Sequence, residues 1–134
     1  MTLQIGKGIR TGKQYLLELQ DDRDVWLSGK KVPNVVTDST ISRVAKTLAK
    51  FIDKQHESDL TDLLTYPETD GARYGMGFLI PKNKSDIEKR GKAFYEWATW
   101  SAGMFGRTPD YKNASLTAFA GSADFLSEGS EDFR

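Results

Sequence analysis

Apolar residues recur at helical spacing in three stretches of the chain, and these stretches predict the main helices. The most regular one begins after Ser39 or Thr40, either of which can cap a helix. Its apolar residues are spaced three and one apart, as on one face of an amphipathic helix. They are Ile41, Val44, Ala45, Leu48, Phe51 and Ile52. We therefore expect one face of this helix to be buried.

A longer helix is predicted from Ser85, with Glu88 as its capping-box partner. Its expected inward seam is Ile87, Gly91, Phe94, Ala98, Ser101 and Phe105, broadened by Trp97 and Trp100. Charged residues crowd the stretch 84–92 and then disappear, so we expect the second half to be buried nearly all round. A further helix follows Gly106. Its apolar positions are Leu116, Phe119, Ala120, Ala123 and Leu126.

The remaining elements are short. Gly12–Leu19 reads as a short helix, and Asp59–Leu64 adds one helical turn. Asp24–Val32 alternates as a hairpin does, around a Ser-Gly turn. Tyr74–Ile80 alternates large residues with glycine, which indicates an extended segment that another backbone or a ligand approaches, or equally a glycine-rich loop. The predicted fold class is mainly α with a small β-hairpin.

Composition narrows the possible functions. The 134 residues form one expected domain, 1–134, and carry 19 basic and 19 acidic side chains, which gives no electrostatic footprint for a nucleic acid. Without cysteine there is no disulfide, no catalytic thiolate and no cysteine-bound cluster, and one histidine cannot supply a multi-histidine site, so we expect no metal. No signal-peptide core or membrane span is evident, which predicts a cytoplasmic protein.

The segment GRTPDYKN, residues 106–113, is the most informative. Thr108 can act as N-cap and Pro109 as the first helical residue, where proline's missing N–H and fixed φ are harmless. Asp110 suits the positive end of the helix dipole. These three residues predict that a helix begins here.

Arg107 stands just outside that helix start, where a cation is disfavoured by a few tenths to about 1 kcal/mol. Its position is better explained if an anionic group, or one becoming anionic, binds there. Tyr111 lies one turn further on and can offer a phenol donor. The pair predicts a clamp for an oxyanion or phenolate at the mouth of a helix–helix crevice. The alternative is an Arg107–Asp110 ion pair beside a half-buried tyrosine.

Other candidate residues have simpler explanations. His56 follows the predicted second helix, where it can bond to the last free carbonyls, and no Gly-x-Ser-x-Gly elbow supports a Ser–His–Asp relay. Trp97 and Trp100 could face a flavin or another aromatic ligand, but aromatic residues at helical spacing are usually core.

The GRTPDYKN segment, with Trp97-Ala98-Thr99 before it and Ala118-Phe119-Ala120 after it, resembles the N-terminal region of the 4-hydroxyphenylacetate 3-monooxygenase oxygenase family. Similar strings occur in order along nearly the whole chain. They are Arg10–Tyr15, Val25–Gly29, Gln55-His56, Leu64–Tyr66 and Ser122–Phe125.

The resemblance implies an acyl-CoA-dehydrogenase-like fold, in which this helical N-terminal domain precedes a central β-domain and a C-terminal four-helix bundle. It implies an oxygenase that is a homo-oligomer when complete. A separate flavin reductase supplies reduced FAD, which forms a flavin hydroperoxide with oxygen and hydroxylates a phenolic substrate ortho to its hydroxyl. Arg107 and Tyr111 match the family residues that contact the phenolic oxygen. The family's third contact is a histidine in the β-domain, and His56 does not take its place.

Two hypotheses follow from the sequence. In the first, the chain is the N-terminal domain of an FAD-dependent 4-hydroxyphenylacetate 3-monooxygenase and is inactive alone. In the second, it is a non-catalytic helical interaction module or a truncated remnant of that family. Either predicts exposed apolar surface on the helix Phe94–Phe105, for contact with other domains or subunits.

Overall fold

The fold is mainly helical and includes two short β-hairpins, one more than the sequence predicted. The computed structural model of the chain describes residues 7–104 and 109–127, and only the backbone of 109–111. The chain divides into two compact units, Met1–Thr61 and Asp62–Arg134. The first unit contains α1 (Gly12–Glu18), β1 (Val25–Leu27), β2 (Lys30–Val32) and α2 (Ile41–Lys54). The second contains α3 (Thr61–Leu64, beginning at the boundary), β3 (Thr65–Pro67), β4 (Arg73–Gly75), a 3₁₀ turn (Met76–Phe78), α4 (Lys84–Trp100), α5 (Pro109–Gly121) and α6 (Ala123–Leu126).

Helix α1 begins with a capping box. The hydroxyl of Thr11 accepts from the backbone N–H of Gln14 at 3.2 Å, and the Gln14 side chain accepts from the backbone N–H of Thr11 at 2.7 Å. The short helix predicted from Gly12 is confirmed and ends at Glu18. It packs against α2, where Asp53 accepts a hydrogen bond from the N–H of Gly12.

The predicted helix over 41–52 is confirmed as α2, but its predicted cap is wrong. Thr40 makes no side-chain cap bond. The Asp38 carboxylate instead accepts from the N–H groups of Thr40 and Ile41, both at 2.9 Å. These two bonds, the one from Ile41 first, lower the pKa of Asp38.

The buried face of α2 is rotated from the predicted one. Its buried residues are Ser42, Ala45, Ala49 and Ile52, whereas Val44 is 62% exposed. Helix α1 approaches α2 closely, since a Cβ on Gly12 would lie only 2.4 Å from the carbonyl oxygen of Ala49. The spacing of apolar residues predicted that Val44 would be buried, but Val44 lies where the helix faces solvent.

The first hairpin is confirmed. Strands β1 and β2 are antiparallel, with Val25 opposite Val32. Ser28 and Gly29 both have positive φ, 50° and 75°, as a two-residue type I′ turn requires. Trp26, in β1, is 63% exposed.

The segment predicted as extended or glycine-rich, Tyr74–Ile80, is partly helical. Its first two residues belong to β4, which pairs with β3, and the chain then forms the 3₁₀ turn before Leu79 returns to extended backbone. The predicted turn of helix before it is confirmed as α3. Leu64 and Thr65, where α3 joins β3, are 0% and 1% exposed.

Helix α4 is confirmed, but its cap is Asn83 rather than Ser85 with Glu88. The Asn83 side chain accepts from the N–H of Asp86 at 3.0 Å. The Asp86 carboxylate in turn accepts from the N–H of Lys82 at 3.0 Å. Asn83, two residues before the predicted Ser85, is therefore the residue that caps the helix.

The predicted seam of α4 is also wrong in part. The buried positions are Ala93, Trp97 and the following Ser101, spaced four residues apart. Ile87 is 62% exposed and so lies outside the buried seam, and Tyr95 is 74% exposed, so the described chain does not bury the second half all round. Phe105 lies outside the described residues.

The helix predicted after Gly106 is divided into α5 and α6. Three of its apolar positions are exposed, Leu116 to 63%, Phe119 to 64% and Leu126 to 55%. Thr117 is the buried side chain of α5 among residues 112–121. The described part of the chain therefore presents an apolar face on α5 and α6 that it does not cover.

Candidate functional site

The predicted clamp belongs to the connection between α4 and α5. After α4, the N–H of Gly103 donates to the carbonyl of Ala98 at 2.9 Å. The N–H of Met104 donates to the carbonyl of Ser101, also at 2.9 Å. Ala102 and Gly103 have φ of 50° and 79°, so two consecutive left-handed residues end the helix. The backbone that follows α4 is thus well defined as far as Met104, three residues before Arg107.

The other side of the connection is the start of α5. This helix begins at Pro109, as predicted, and Tyr111 lies in its first turn. Arg107 and Thr108 lie outside the described residues, and the side chains of Asp110 and Tyr111 are not described. The Arg107–Tyr111 clamp and its alternative, an Arg107–Asp110 ion pair, therefore both stay predictions.

Both helices that flank this connection pack against the same element, the 3₁₀ turn Met76–Phe78. Met76 is 2% exposed and Gly77 is buried. At the other end of α5, a Cβ on Gly121 would lie 3.6 Å from Ile80, an ordinary contact distance. Helix α5 thus packs on the glycine-containing segment, while the predicted close approach of another backbone or a ligand to its glycines stays a prediction.

The two tryptophans of α4 form an edge-to-face pair. Their ring centroids are 5.4 Å apart and their planes are inclined by 82°. Trp97 is 4% exposed and belongs to the core, while Trp100 is half-buried. Burial of Trp97 supports the core explanation for that residue over contact with a ligand.

The second hairpin contains a polar cluster that the sequence analysis missed. Nε of Arg73 donates to the hydroxyl of Thr65 at 2.7 Å, and an Nη of the same guanidinium donates to the Asp62 carboxylate at 2.6 Å. The dipeptide Asp70-Gly71 was the available signal, because it is a common hairpin turn and Gly71 has a φ of 79°. Proline is rare inside strands, so Pro67, at the end of the three-residue strand β3, obscured the strand pattern of the sequence.

Two tyrosines face each other across this hairpin. The rings of Tyr66 and Tyr74 have centroids 6.2 Å apart, and Tyr74 donates to the Asp70 carboxylate at 2.8 Å. That hydrogen bond is the main reason why the pKa of Tyr74 is raised. Burial, followed by the charge of Glu68, raises the pKa of Tyr66. Both phenols therefore stay protonated at neutral pH.

His56 does not cap α2 with its side chain. Its Nε2 lies 3.1 Å from the carbonyl oxygen of Arg10, and since a carbonyl only accepts, Nε2 carries the proton. Its backbone N–H continues the helix end by donating to Asp53. The prediction of a helix-end side-chain bond is wrong, because the imidazole bonds instead to the carbonyl of Arg10, which precedes α1. The bond to a backbone carbonyl gives the imidazole a structural role.

A groove of about 560 Å³ lies along α4 in the second unit. Its lining residues are Leu63, Glu88, Gly91, Lys92, Tyr95 and Glu96. It contains none of the predicted site residues. Over residues 7–104 and 109–127, no group of three histidines or carboxylates is placed to hold a metal ion. Nor does that part of the chain include a helix long and apolar enough to cross a membrane.

Comparison with known proteins decides the family. Residues 11–134 match the sequence profile described as 4-hydroxyphenylacetate 3-hydroxylase N terminal. The chain belongs to this family. The resemblance drawn from the GRTPDYKN segment and its flanking strings is thereby confirmed.

Individual relatives agree with the family match. The chain is 41% identical to the 4-hydroxyphenylacetate 3-monooxygenase oxygenase component of Thermus thermophilus over 126 residues, 93% of this chain and 26% of that protein. It is 37% identical to the FADH(2)-dependent monooxygenase TftD of Burkholderia cepacia over 84% of this chain and 22% of that protein. The chain thus spans about a quarter of the length of these relatives.

A solved structure gives the same result for the fold. The chain superposes on the oxygenase component (HpaB) of 4-hydroxyphenylacetate 3-monooxygenase, crystallised with FAD and 4-hydroxyphenylacetate, with a TM-score of 0.84. The two are 41% identical, and the match covers 93% of this chain and 26% of that one. The mainly helical fold with small hairpins is therefore that of the matching region of this oxygenase component.

Proposed function

We propose that the chain is the helical N-terminal part of a three-domain, FAD-dependent oxygenase that hydroxylates a phenol ortho to its hydroxyl group. The observation that carries this proposal is the 41% identity to an oxygenase component crystallised with FAD and 4-hydroxyphenylacetate. The whole enzyme would have an acyl-CoA-dehydrogenase-like fold, completed by a β-domain and a four-helix bundle. It would be a cytoplasmic homo-oligomer served by a separate flavin reductase.

In this proposal Arg107 and Tyr111 contact the phenolic oxygen of the substrate. The start of α5 at Pro109 supports their placement, because the free N–H groups of a helix N-terminus favour negative charge. A guanidinium and a phenol donor beside them stabilise the phenolate as the substrate loses its proton. The negative charge raises the electron density at the ortho carbon, which is the carbon that receives oxygen.

Reduced FAD, when bound, would activate O2, which is the source of the oxygen atom that the phenol receives. The groove along α4 is a poor fit for this cofactor, since the carboxylates of Glu88 and Glu96 outnumber the one cation in its lining, Lys92, and disfavour the FAD pyrophosphate. The proposal therefore assigns the flavin pocket to the remaining domains. The contribution of this chain is the contact with the phenol, and no metal ion takes part in it.

The exposed face of α5 and α6 favours a second candidate, a non-catalytic interaction module. Leu116, Phe119, Phe125 and Leu126 are all more than half exposed, as expected of a surface that docks on another domain. An oxygenase domain needs such a face as well. The two candidates differ in whether hydroxylation depends on Arg107.

A chimaeric oxygenase tests the proposal. In it, this chain replaces the matching 126-residue region of the Thermus thermophilus relative. Hydroxylation of 4-hydroxyphenylacetate is measured with reductase, NADH and FAD. We expect Arg107→Ala to lower kcat by about 10²–10³-fold, because a donor to the developing oxyanion is lost. Tyr111→Phe should lower it less, since the cation remains.

Arg43→Ala is the matched control, since Arg43 is exposed on α2 in the other unit and should leave the rate unchanged. Unchanged hydroxylation by the Arg107→Ala chimaera would remove the clamp and leave the interaction module. The isolated chain should not turn over substrate under the same conditions. Turnover by it would contradict the assignment of the flavin pocket to other domains.

A further inference from the structure

We propose that the exposed side of α4 is a contact between two copies of this chain, in which the two α4 helices cross antiparallel at Gly91. The inference goes beyond the proposed function, which includes a homo-oligomer but assigns no surface to the contact between its subunits. It does not depend on the phenol clamp, and its test measures association instead of hydroxylation.

The contact would form on a ridge of α4 that lies away from the buried seam. Ala93 and Trp97 belong to the seam, whereas Ile87 is 62% and Tyr95 is 74% exposed. Ile87, Gly91 and Tyr95 are spaced four residues apart and therefore follow one another along the same ridge. Two large side chains thus project from this side of the helix, with a glycine between them.

Gly91 leaves an opening in the middle of the ridge. A Cβ built on Gly91 would meet no other part of the described chain within 4 Å. The groove of about 560 Å³ lies at this point, and Leu63 and Tyr95 are among its lining residues. Because glycine has no side chain, the backbone of a second helix can come close here, and ridges of four-residue spacing from two helices can interlock. The surface therefore has the shape that a second helix needs.

The charges beside this ridge favour a second copy of the chain as the occupant. The neighbouring ridge carries charges of alternating sign at four-residue spacing. Its members are Lys84, Glu88, Lys92 and Glu96. An antiparallel partner presents the same order in reverse, so every lysine can meet a glutamate, whereas a parallel partner in register would bring like charges together. The pattern is thus complementary to itself, as the contact of a two-fold dimer requires.

A crossing at Gly91 brings specific side chains together. Tyr95 of each copy lies against Ile87 of the other, since both are four residues from the crossing point. Glu88 and Lys92 are on opposite sides of Gly91 along the helix, so Glu88 of each copy comes beside Lys92 of the other. Within the described chain Glu88 has an ion pair of 3.8 Å with Lys84, whose side chain is 90% exposed. Such an exposed pair is worth little, so Glu88 is available to the second copy.

The association should be weak in the isolated chain, because a single crossing of two helices buries a small area. In a complete homo-oligomer, other contacts would hold the copies together and raise the effective concentration at this surface. The experiment therefore measures the dissociation constant of the isolated chain by sedimentation equilibrium, at concentrations up to about 1 mM.

Charge reversal beside the crossing gives the decisive variants. We expect Glu88→Lys and Lys92→Glu each to raise the dissociation constant about tenfold or more, because each puts two pairs of like charges into a symmetric dimer. An equimolar mixture of the two variants should associate as tightly as the original chain, since every such pair becomes a lysine beside a glutamate. Tyr95→Ala should also weaken association about tenfold, because it removes the aromatic side chain that enters the groove.

Lys89→Glu is the matched control. It makes the same charge change as Lys92→Glu, at a side chain that is 60% exposed. Lys89 precedes Gly91 by two residues and so lies on the opposite side of the helix. The dissociation constant should therefore stay unchanged. Far-UV circular dichroism of every variant checks that a change in association is not a loss of fold.

Three results would contradict the proposal. A chain that stays monomeric at the highest concentration would leave this surface to another domain of the oxygenase. Association that neither charge reversal changes would place the contact elsewhere, on the apolar face of α5 and α6. A mixture that stays dissociated would exclude the antiparallel crossing at Gly91. None of these results bears on Arg107 and Tyr111, which are tested by hydroxylation.

Discussion

The backbone N–H of Gly12 donates a hydrogen bond of 2.7 Å to Oδ1 of Asp53, and this bond joins the start of α1 to the last turn of α2. Helix α1 has seven residues, and a helix this short is marginal in water by itself. Its capping box and this bond to α2 therefore hold it in place.

Gly12→Ala should destabilise the protein by about 1–3 kcal/mol, because the added methyl group overpacks a tight junction. Its Cβ would lie 2.4 Å from the carbonyl oxygen of Ala49 and 2.6 Å from the Asp53 carboxylate. The carboxylate can rotate away, but the backbone of α2 cannot. Urea unfolding followed by far-UV circular dichroism measures the loss.

Gly91→Ala is the matched control for that change. A Cβ at Gly91 meets nothing within 4 Å, and the residue lies inside α4. Alanine there should stabilise the protein by about 0.5–1 kcal/mol through its better helix propensity. Equal effects of the two substitutions would contradict the close approach of α1 and α2.

Asp38 should make stability depend on pH in the acid range. Its pKa is lowered from 3.8 by the N–H groups of Ile41 and Thr40. Because the folded pKa is below the unfolded one, its stabilising contribution is complete above pH 3.8 and is lost as the pH falls through the folded pKa. Asp38→Asn should keep the cap and remove this acid dependence, whereas Asp38→Ala should lower the urea midpoint at neutral pH. If Thr40→Ala lowered the urea midpoint more than Asp38→Ala does, Thr40 rather than Asp38 would be the cap.

The cap positions show what the sequence could and could not predict. All three long helices follow from apolar spacing, but Asp38 and Asn83 cap where Thr40 and Ser85 were expected. Several residues that can cap a helix stand within two positions of each helix start. Which of them makes the cap bond depends on the path of the chain that leads into the helix. The same limitation applies to burial, because spacing gives the helix period but not the size of residue that a neighbour such as Gly12 admits.

Replacement of Ala102 by glycine should cost less stability than the same replacement of an alanine inside a helix. Its φ of 50° lies in the left-handed region, where a Cβ costs roughly 1–2 kcal/mol. Relief of that strain should offset the entropy cost of glycine, so that Ala102→Gly leaves stability unchanged or raises it by up to about 1 kcal/mol. Ala120→Gly, at an exposed position within α5, should instead cost about 1 kcal/mol. Thermal unfolding of the two variants compares them, and a larger loss at Ala102 would be inconsistent with its conformation.

The polar cluster of the second hairpin should depend on Thr65 more than on Asp62. Thr65 is 1% exposed and accepts from Nε of Arg73, so Thr65→Val removes a buried acceptor at a cost of about 1–2 kcal/mol. The Asp62 side chain is 91% exposed, and Asp62→Ala should change stability by less than about 0.5 kcal/mol. Urea midpoints of the two variants decide the matter, and the reverse order would make the ion pair the main contribution.

Phe119→Gln should leave the stability of the isolated chain within about 0.5 kcal/mol of the original, because Phe119 is 64% exposed. Leu64→Ala, at a fully buried position, should cost about 2–5 kcal/mol. In the chimaeric oxygenase the same Phe119→Gln should lower the unfolding temperature, since the face is expected to be covered there. No change in the chimaera would mean that another surface docks.

Only those features of the site that depend on neighbouring residues in the sequence could be predicted. Proline at position 109 fixed the start of α5, because its ring geometry belongs to a first helical turn. The packing of α4 and α5 on the 3₁₀ turn was not predictable, since Met76 lies about thirty residues before the start of α5 in a segment whose glycines indicated only extended or irregular backbone. That relationship comes from tertiary packing of α4 and α5, which no local pattern contains.

The distribution of indole side chains has a practical consequence for spectroscopy. Trp26, the tryptophan of the first unit, is already 63% exposed, whereas Trp97 in the second unit is 4% exposed. The red shift of intrinsic fluorescence on denaturation will therefore report the loss of the second unit and will scarcely register the first. A discrepancy between fluorescence and circular dichroism would then measure how independently the two units melt.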